Sequence, residues 1–185
     1  MNSRAWKTLV LVSLSACLLT PAFADIKKGD KLQALANLHP DMSKHLLYTL
    51  NYQLQEGMIP VCSEVTITEV HARSLSFVYQ GQDYKLEYDN FTKNAGVSFQ
   101  KVAETYLGPA CDKAKMEKLG KADQEGIKLG RAHAGMTREG VLFAMGRPPF
   151  HATPGLEVSE WHYWKNRFAS EMVEFDEHGI VTGIQ

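Results

Sequence analysis

Histidine and cysteine are the residues of this chain that could bind a metal ion or act as nucleophiles. The 185 residues include seven histidines and three cysteines. None of the histidines lies in an H-E-x-x-H or H-x-H motif, and His39 and His45 are six positions apart, which places them on different faces of a helix. We therefore expect no metal and no cofactor, although a copper or zinc site built from histidines distant in sequence stays open. The histidines are His39, His45, His71, His133, His151, His162 and His178.

Common arrangements for covalent or acid–base catalysis are also missing. A nucleophilic cysteine needs an adjacent base and an electropositive setting, and neither Cys62 nor Cys111 has a convincing one. No G-x-S-x-G or P-loop motif occurs. Glu171 and Glu174 are close in sequence, but their odd spacing would send them to opposite faces of a strand. We expect no catalytic residue and a non-enzymatic protein, with a metal- or thiol-dependent enzyme as the less favoured alternative.

The residues best suited to binding a partner gather in one loop and in the strand that follows it. Residues 147–151 (R-P-P-F-H) and 161–168 (W-H-Y-W-K-N-R-F) combine aromatics with arginines, the residue types that dominate protein-binding hot spots. If Trp161 and Tyr163 face the helices, Trp164 points to the other side of the sheet. In the alternative, Trp164 and Phe150 pack against the N-terminal half. The candidate partner-binding residues are Arg147, Phe150, His151, Trp161, Trp164 and Arg167.

A short helix and three strands must position these residues. Thr137 can N-cap a helix over residues 137–145, and Gly146 with the prolines after Arg147 ends it. Strand-like runs follow at residues 161–164, 168–175 and 180–184, with a hairpin loop at 176–179. Because no other nearby element can cover this sheet, we expect this helix and an earlier one, capped by Asp123, to lie on one face of it.

The order of these elements, with G-M-T before the helix and G-x-P after it, resembles the SmpA/OmlA (BamE-like) family of envelope proteins. The resemblance covers residues 122–185. It implies a helix-helix-strand-strand-strand sandwich, and a protein of the cell envelope whose loop and sheet residues contact other envelope proteins.

Residues 43–111 predict a second, β-rich unit. Apolar residues alternate over 61–70, 74–79 and 84–88, with a turn at 80–82. Residues 43–55 fit a helix or a strand, and their aromatic and threonine content favours a strand. We interpret this unit as a small SH3-like β-barrel, similar to bacterial SH3-like modules, ending in a helix at 97–107. The expected fold class is therefore α+β: an SH3-like barrel followed by a BamE-like sandwich.

Two segments flank the β-rich unit. We expect residues 25–42 to form a loosely held N-terminal arm with a short helix around residues 32–38. Residues 112–121 are dense in lysine and poor in apolar side chains, which indicates a charged linker or exposed helix at the boundary between the two units.

The first 24 residues resemble a secretory signal peptide. Arg4 and Lys7 precede an apolar run at residues 9–20, and A-F-A at 22–24 is a small-x-small cleavage site. The apolar run is shorter than the about 20 residues that a membrane-spanning helix needs. We expect export to the periplasm. In the alternative, L-S-A-C at residues 14–17 is a lipobox, Cys17 is lipidated, and the protein is an outer-membrane lipoprotein.

Cleavage after Ala24 would leave Cys62 and Cys111. In an oxidising compartment an even pair is more often bridged than free. A disulfide closing a loop of this length stabilises a fold by about 4 kcal/mol in the chain-entropy model. Two buried thiols are the alternative.

The net charge of −1 gives no support for nucleic-acid binding. Our hypothesis is a non-enzymatic envelope protein that binds another protein, in outer-membrane assembly or envelope integrity. It would contact the membrane only through a lipidated Cys17 or through its partner. A secreted inhibitory or small-ligand-binding module is the alternative.

Overall fold

The computed structural model describes residues 25–53 and 57–185 of the chain. The expected signal peptide and the lipidation alternative at Cys17 lie outside these residues. The described chain is mixed α+β, as expected, with a curled six-stranded sheet, a three-stranded sheet and five helices. None of the helices in the described part is long and apolar enough to cross a membrane.

The nine strands and five helices within those residues have the following bounds. In chain order they are β1 Lys31–Ala34, β2 Leu46–Tyr48, β3 Glu64–His71, β4 Ser74–Tyr79, β5 Gln82–Glu87, α1 Asn90–Asn94, α2 Phe99–Tyr106, β6 Leu107–Gly108, α3 Lys113–Glu117, α4 Lys121–Leu129, α5 Arg138–Met145, β7 Glu160–Trp164, β8 Ser170–Phe175 and β9 Val181–Ile184.

The six-stranded sheet has the order β2-β5-β4-β3-β1-β6. Its pairs are antiparallel except β2 with β5. The predicted turn is confirmed: Gln80 and Gly81 both have positive φ, 50° and 78°, as a two-residue hairpin requires. The alternating apolar residues of β3, β4 and β5 face one core, which the predicted helix α2 covers. The residues sharing this core include Val65, Ile67, Leu75, Phe77, Tyr84, Leu86, Phe99, Val102, Ala103 and Tyr106.

The expectation of a loosely held arm with a short helix at residues 32–38 is wrong. Residues 31–34 form β1, which lies between β3 and β6. Leu32 and Ala34 are buried at strand spacing, and pairing on both edges satisfies the backbone groups that a helix would have satisfied internally. Residues 36–40 are buried as well. Residues 112–121, expected to be a charged linker or an exposed helix, contain the short helix α3, which has no buried residue.

The three-stranded sheet β7-β8-β9 is antiparallel, and helices α4 and α5 contribute to the same core. Its strands confirm the predicted ones, except that Phe168 precedes β8 rather than lying in it. Gly179, with φ of 76°, forms the predicted hairpin loop. The buried residues include Ile127, Met136, Val141, Met145, Trp161, Tyr163, Val173, Phe175 and Val181.

Asp123 lies within α4 and links it to the start of α5 by hydrogen bonds. It does not cap α4, so the expectation that it would is wrong. The helix begins at Lys121 with Gly120 as N-cap. The buried Asp123 carboxylate accepts hydrogen bonds from Thr137 N at 2.7 Å and from Thr137 Oγ1 at 3.1 Å. Thr137 Oγ1 in turn accepts from Gly140 N at 3.0 Å, so Thr137 is the N-cap of α5 as predicted.

Cys62 and Cys111 lie at disulfide-bonding distance, with Cα atoms 5.2 Å apart. This confirms the predicted pairing. The bond links the turn before β3 to the segment between β6 and α3, and Cys111 N also donates to Gln33 Oε1 at 2.7 Å. The disulfide therefore joins these two segments beside one end of β1.

Two buried asparagines connect the two cores. Asn37 Nδ2 donates to Ile127 O at 2.7 Å and to Ala144 O at 3.2 Å. Asn51 Nδ2 donates to Met145 O at 3.0 Å. These carbonyls lie in the last turns of α4 and α5, where helical partners run out. Ile127 O also accepts from Gly130 N at 3.2 Å, and the two asparagine amides bond to the same helix ends from the N-terminal half.

Candidate partner-binding site

Four aromatic rings stack where the two halves of the chain meet. We define the aromatic cluster as Phe91, His151, His162 and Trp164. Phe91 lies 5.4 Å from His151 and 5.9 Å from Trp164 between ring centroids. His151 and His162 lie 6.1 Å and 5.8 Å from Trp164, and every interplanar angle is 26° or less. Phe91 remains 52% exposed, so one ring of the stack faces solvent.

Phe91 is held in place by the short helix α1. Asp89 is its N-cap and accepts from Thr92 N at 2.9 Å. The Asp89 carboxylate also accepts from the Thr49 hydroxyl, and Asp89 N donates to Thr49 Oγ1 at 3.1 Å. These bonds fix α1 against the segment after β2, so the position of Phe91 is set by the N-terminal half.

His151 is positioned by a turn after α5. Thr153 N donates to Pro149 O at 2.8 Å, and the buried Thr153 hydroxyl accepts from His162 N at 3.0 Å. This turn therefore docks on the edge of β7. Trp164 is fixed on the same edge, because its carbonyl accepts from Gln53 N at 3.0 Å.

A hydrogen bond joins the two central rings of the cluster. Trp164 Nε1 donates to His151 Nε2 at 3.2 Å, so the neutral imidazole carries its proton on Nδ1. That Nδ1 atom is buried and has no partner among residues 25–53 and 57–185. Burial lowers the pKa of His151, the charge of Asp89 acts in the opposite direction, and His162 lowers it further.

An exposed aromatic and an exposed arginine follow the cluster in the turn between β7 and β8. Phe168 is 89% exposed and Arg167 is also exposed. The turn is ordered by its own hydrogen bonds: Asn166 Oδ1 accepts from Phe168 N at 2.8 Å and from Ala169 N at 3.0 Å. A large apolar side chain is thus presented to solvent on a well-defined turn.

The other predicted candidates have internal roles. Trp161 is buried in the core beneath α5, 4.7 Å from Phe175 between centroids. Arg147 lies 3.4 Å above the ring of Phe150 and donates to Pro148 O and Pro154 O at 2.7 Å and 2.8 Å. Phe150 packs against the N-terminal core, which matches the alternative interpretation of that residue. Of the six candidates, only His151 and Trp164 belong to the aromatic cluster, and Arg167 lies in the adjoining turn.

Phe91 and His162 were not among the predicted candidates. Phe91 lies far from Trp164 in sequence, and no local pattern connects them. The sequence D-N-F-T at residues 89–92 does predict a capped helix start, but not the surface on which that helix packs.

A small apolar cavity and two open grooves lie in the N-terminal half, away from the aromatic cluster. The apolar cavity between the six-stranded sheet and α2, lined in part by Leu38, Phe77 and Tyr106, holds about 10 Å³, room for about one water molecule. Larger clefts of about 670 and 860 Å³ are open grooves beside β3. No group of three or more His, Cys, Asp or Glu side chains in the described ranges is arranged to hold a metal ion.

Comparison of the chain with protein-family models, with curated proteins and with solved structures finds no match in any of the three.

Proposed function

We propose that this is a non-enzymatic protein of the cell envelope that binds another envelope protein through the aromatic cluster and the adjoining turn at residues 165–169. The stack of Phe91, His151, Trp164 and His162 is the observation that carries the proposal. Exposed apolar and arginine side chains follow it on an ordered turn.

Rigidity is the reason that this surface suits a protein partner. Hot spots are enriched in Trp, Tyr and Arg, and they lie where side chains are held in place before binding. In the cluster, three rings come from the C-terminal half and one from α1. The Phe91 ring is already held by its stacking on His151 and Trp164, so its burial by a partner would cost little side-chain entropy.

The envelope location rests on the leader and on the cysteines. Residues 1–24 have the charge and apolar pattern of a secretory signal, and a disulfide is typical of an oxidising compartment such as the periplasm. Lipidation at Cys17 would instead anchor the same protein to the outer membrane.

The element order α4-α5-β7-β8-β9 supports a BamE-like sandwich, and the six-stranded sheet supports an SH3-like first unit. A role in outer-membrane assembly or envelope integrity follows from that resemblance.

Site-specific photo-crosslinking in the native envelope tests the proposal. A photoreactive phenylalanine analogue is placed at position 91 or 168 of the full chain, and at position 70 as a matched control. Val70 is an exposed apolar residue on β3 of the other sheet. We expect one discrete adduct from positions 91 and 168, and none from position 70. Equal adducts from all three positions, or none from 91 and 168, would exclude the cluster as the binding surface.

Measuring the affinity of variants for the captured partner then shows how much the cluster contributes to binding. Trp164→Ala should weaken binding by about 30-fold, the equivalent of about 2 kcal/mol, while Val70→Ala leaves it unchanged. Near-UV circular dichroism checks that each variant is folded. If the adduct proves to be a secreted hydrolase whose activity the protein blocks, the inhibitory alternative replaces the assembly role.

A further inference from the structure

A short antiparallel pairing places a buried histidine opposite an exposed methionine. Leu38 N donates to Ile59 O at 3.0 Å and Ile59 N donates to Leu38 O at 2.8 Å. In this register the next two residues, His39 and Met58, face each other. Side chains at such opposing positions lie on the same side of the ribbon, with Cβ atoms about 5 Å apart.

One ring nitrogen of His39 is buried without a hydrogen-bond partner in the described part of the chain. His39 is only 6% exposed, and its Nε2 atom has no partner within residues 25–53 and 57–185. In the tautomer with the proton on Nδ1, the lone pair of Nε2 is available to a ligand.

The thioether of Met58 and the ring of His39 border the same small space, which Gly130 leaves open. A Cβ atom at Gly130 would be 2.8 Å from Met58 Sδ, 2.9 Å from His39 Cε1 and 3.5 Å from His39 Nε2. Gly130 is the C-cap of α4, with φ of 66°. The sulfur and the nitrogen thus converge on one small space that a side chain at position 130 would fill.

We propose that His39 Nε2 and Met58 Sδ form a binding site for a soft monovalent cation, Cu(I). Thioether and imidazole donors suit Cu(I), whereas Mg²⁺, Ca²⁺ and Mn²⁺ prefer oxygen donors. The positive charge of Arg131 acts on His39, and it penalises a doubly charged ion more than a singly charged one. Neither donor is a carboxylate oxygen, the ligand on which calcium sites depend.

The site is independent of the aromatic cluster, so it stands or falls separately from the proposed function.

Titration with Ag(I), a redox-stable analogue, and competition for Cu(I) against bathocuproine under anaerobic conditions test the site. The full chain carries Cys17→Ser so that no free thiol competes, and ascorbate serves as the reductant. We expect one saturable equivalent. The methyl signal of Met58 should shift in spectra of methionine-methyl-labelled protein, with six of the seven methionines available as internal comparison.

Substitutions distinguish the loss of a ligand from a general effect on the fold. Met58→Leu and His39→Gln should each weaken binding by about 10-fold or more, with Met58→Leu preserving volume at an exposed position. Met116→Leu on α3 and His178→Gln in the β8–β9 loop are the matched controls and should bind as the parent does. Retained affinity in both Met58→Leu and His39→Gln would overturn the site. Equally tight binding of Zn(II) would overturn its preference for a soft ion.

Discussion

Asn51 Nδ2 donates a hydrogen bond to the carbonyl oxygen of Met145 at 3.0 Å, across 94 positions of the chain. The same amide donates to Asn37 O at 3.1 Å, and Asn51 Oδ1 accepts from His39 N at 2.9 Å. Asn51 is buried with φ of 45°, a conformation that asparagine tolerates better than most residues. The side-chain amide of Asn51 therefore makes three hydrogen bonds, all to backbone groups, and these groups come from both halves of the chain.

Replacing Asn51 with aspartate should destabilise the protein by about 3 kcal/mol or more. Aspartate keeps the shape but cannot donate to the carbonyls of Asn37 and Met145, and it adds a buried charge. Urea unfolding of the oxidised protein measures the change. Asn94→Asp makes the same chemical change at an exposed position and should cost less than about 1 kcal/mol. Similar costs for the two variants would show that the amide bonds contribute little.

Gly140→Ala should destabilise α5, even though alanine favours helices. In an exposed helix the change would stabilise by up to about 1 kcal/mol. Here the new Cβ would lie 2.8 Å from the Cβ of Asp123 on α4, and forcing the helices apart costs about 1–3 kcal/mol. Thermal unfolding measures the outcome. Gly155→Ala, whose Cβ would meet nothing within 4 Å, is the control, and a rise in Tm for Gly140→Ala would contradict the close approach.

Removing the disulfide should cost about 4 kcal/mol. The double variant Cys62→Ser and Cys111→Ser frees a loop with a sequence separation of 49, which raises the entropy of the unfolded chain. Chemical unfolding with and without dithiothreitol measures it. The reductant should lower the stability of the parent to that of the double variant and leave the double variant unaffected. A parent that is insensitive to reduction would refute the stabilising role of the bond.

Acidification should break the hydrogen bond between Trp164 and His151. Burial lowers the folded-state pKa of His151 below its ordinary value of 6.5, so the unfolded chain takes up the proton first. The stability that the neutral ring contributes is present above pH 6.5 and is lost as the pH falls through the folded-state pKa. Protonated Nε2 cannot accept from Trp164 Nε1.

The indole N–H signal of Trp164 in ¹⁵N-labelled protein reports this titration. We expect its chemical shift to change with pH, with a midpoint below pH 6.5. This transition should be absent in the variant His151→Gln. The indole of Trp161 donates to Leu156 O at 3.3 Å and serves as an internal control that stays constant. A midpoint at or above pH 6.5 would mean that the ring is not held in its neutral form.

Local patterns in the sequence predicted much of the secondary structure. Thr137, Gly146 and Gly179 mark the ends of α5 and the β8–β9 loop because caps and positive φ depend on a few neighbouring residues. The alternation at residues 74–79 and 161–164 identified both the strands and their buried faces. The disulfide followed from the count of cysteines and the expected compartment.

The same reasoning failed where the structure depends on residues that are distant in sequence. Residues 31–34 are short and only partly apolar, and they become a strand because β3 and β6 supply partners on both edges. Asp123 resembles a helix cap in sequence, but Thr137 is its actual partner. Only His151 and Trp164 of the six binding candidates joined the cluster, because the packing of Phe91 against Trp164 depends on tertiary structure alone.

The amides of Asn37 and Asn51 also constrain when the protein can fold. Their acceptors, the carbonyls of Ala144 and Met145, are among the later groups to leave the ribosome, and polar groups of the early chain must stay hydrated until then. The junction between the two cores can therefore be completed only after most of the chain has been synthesised.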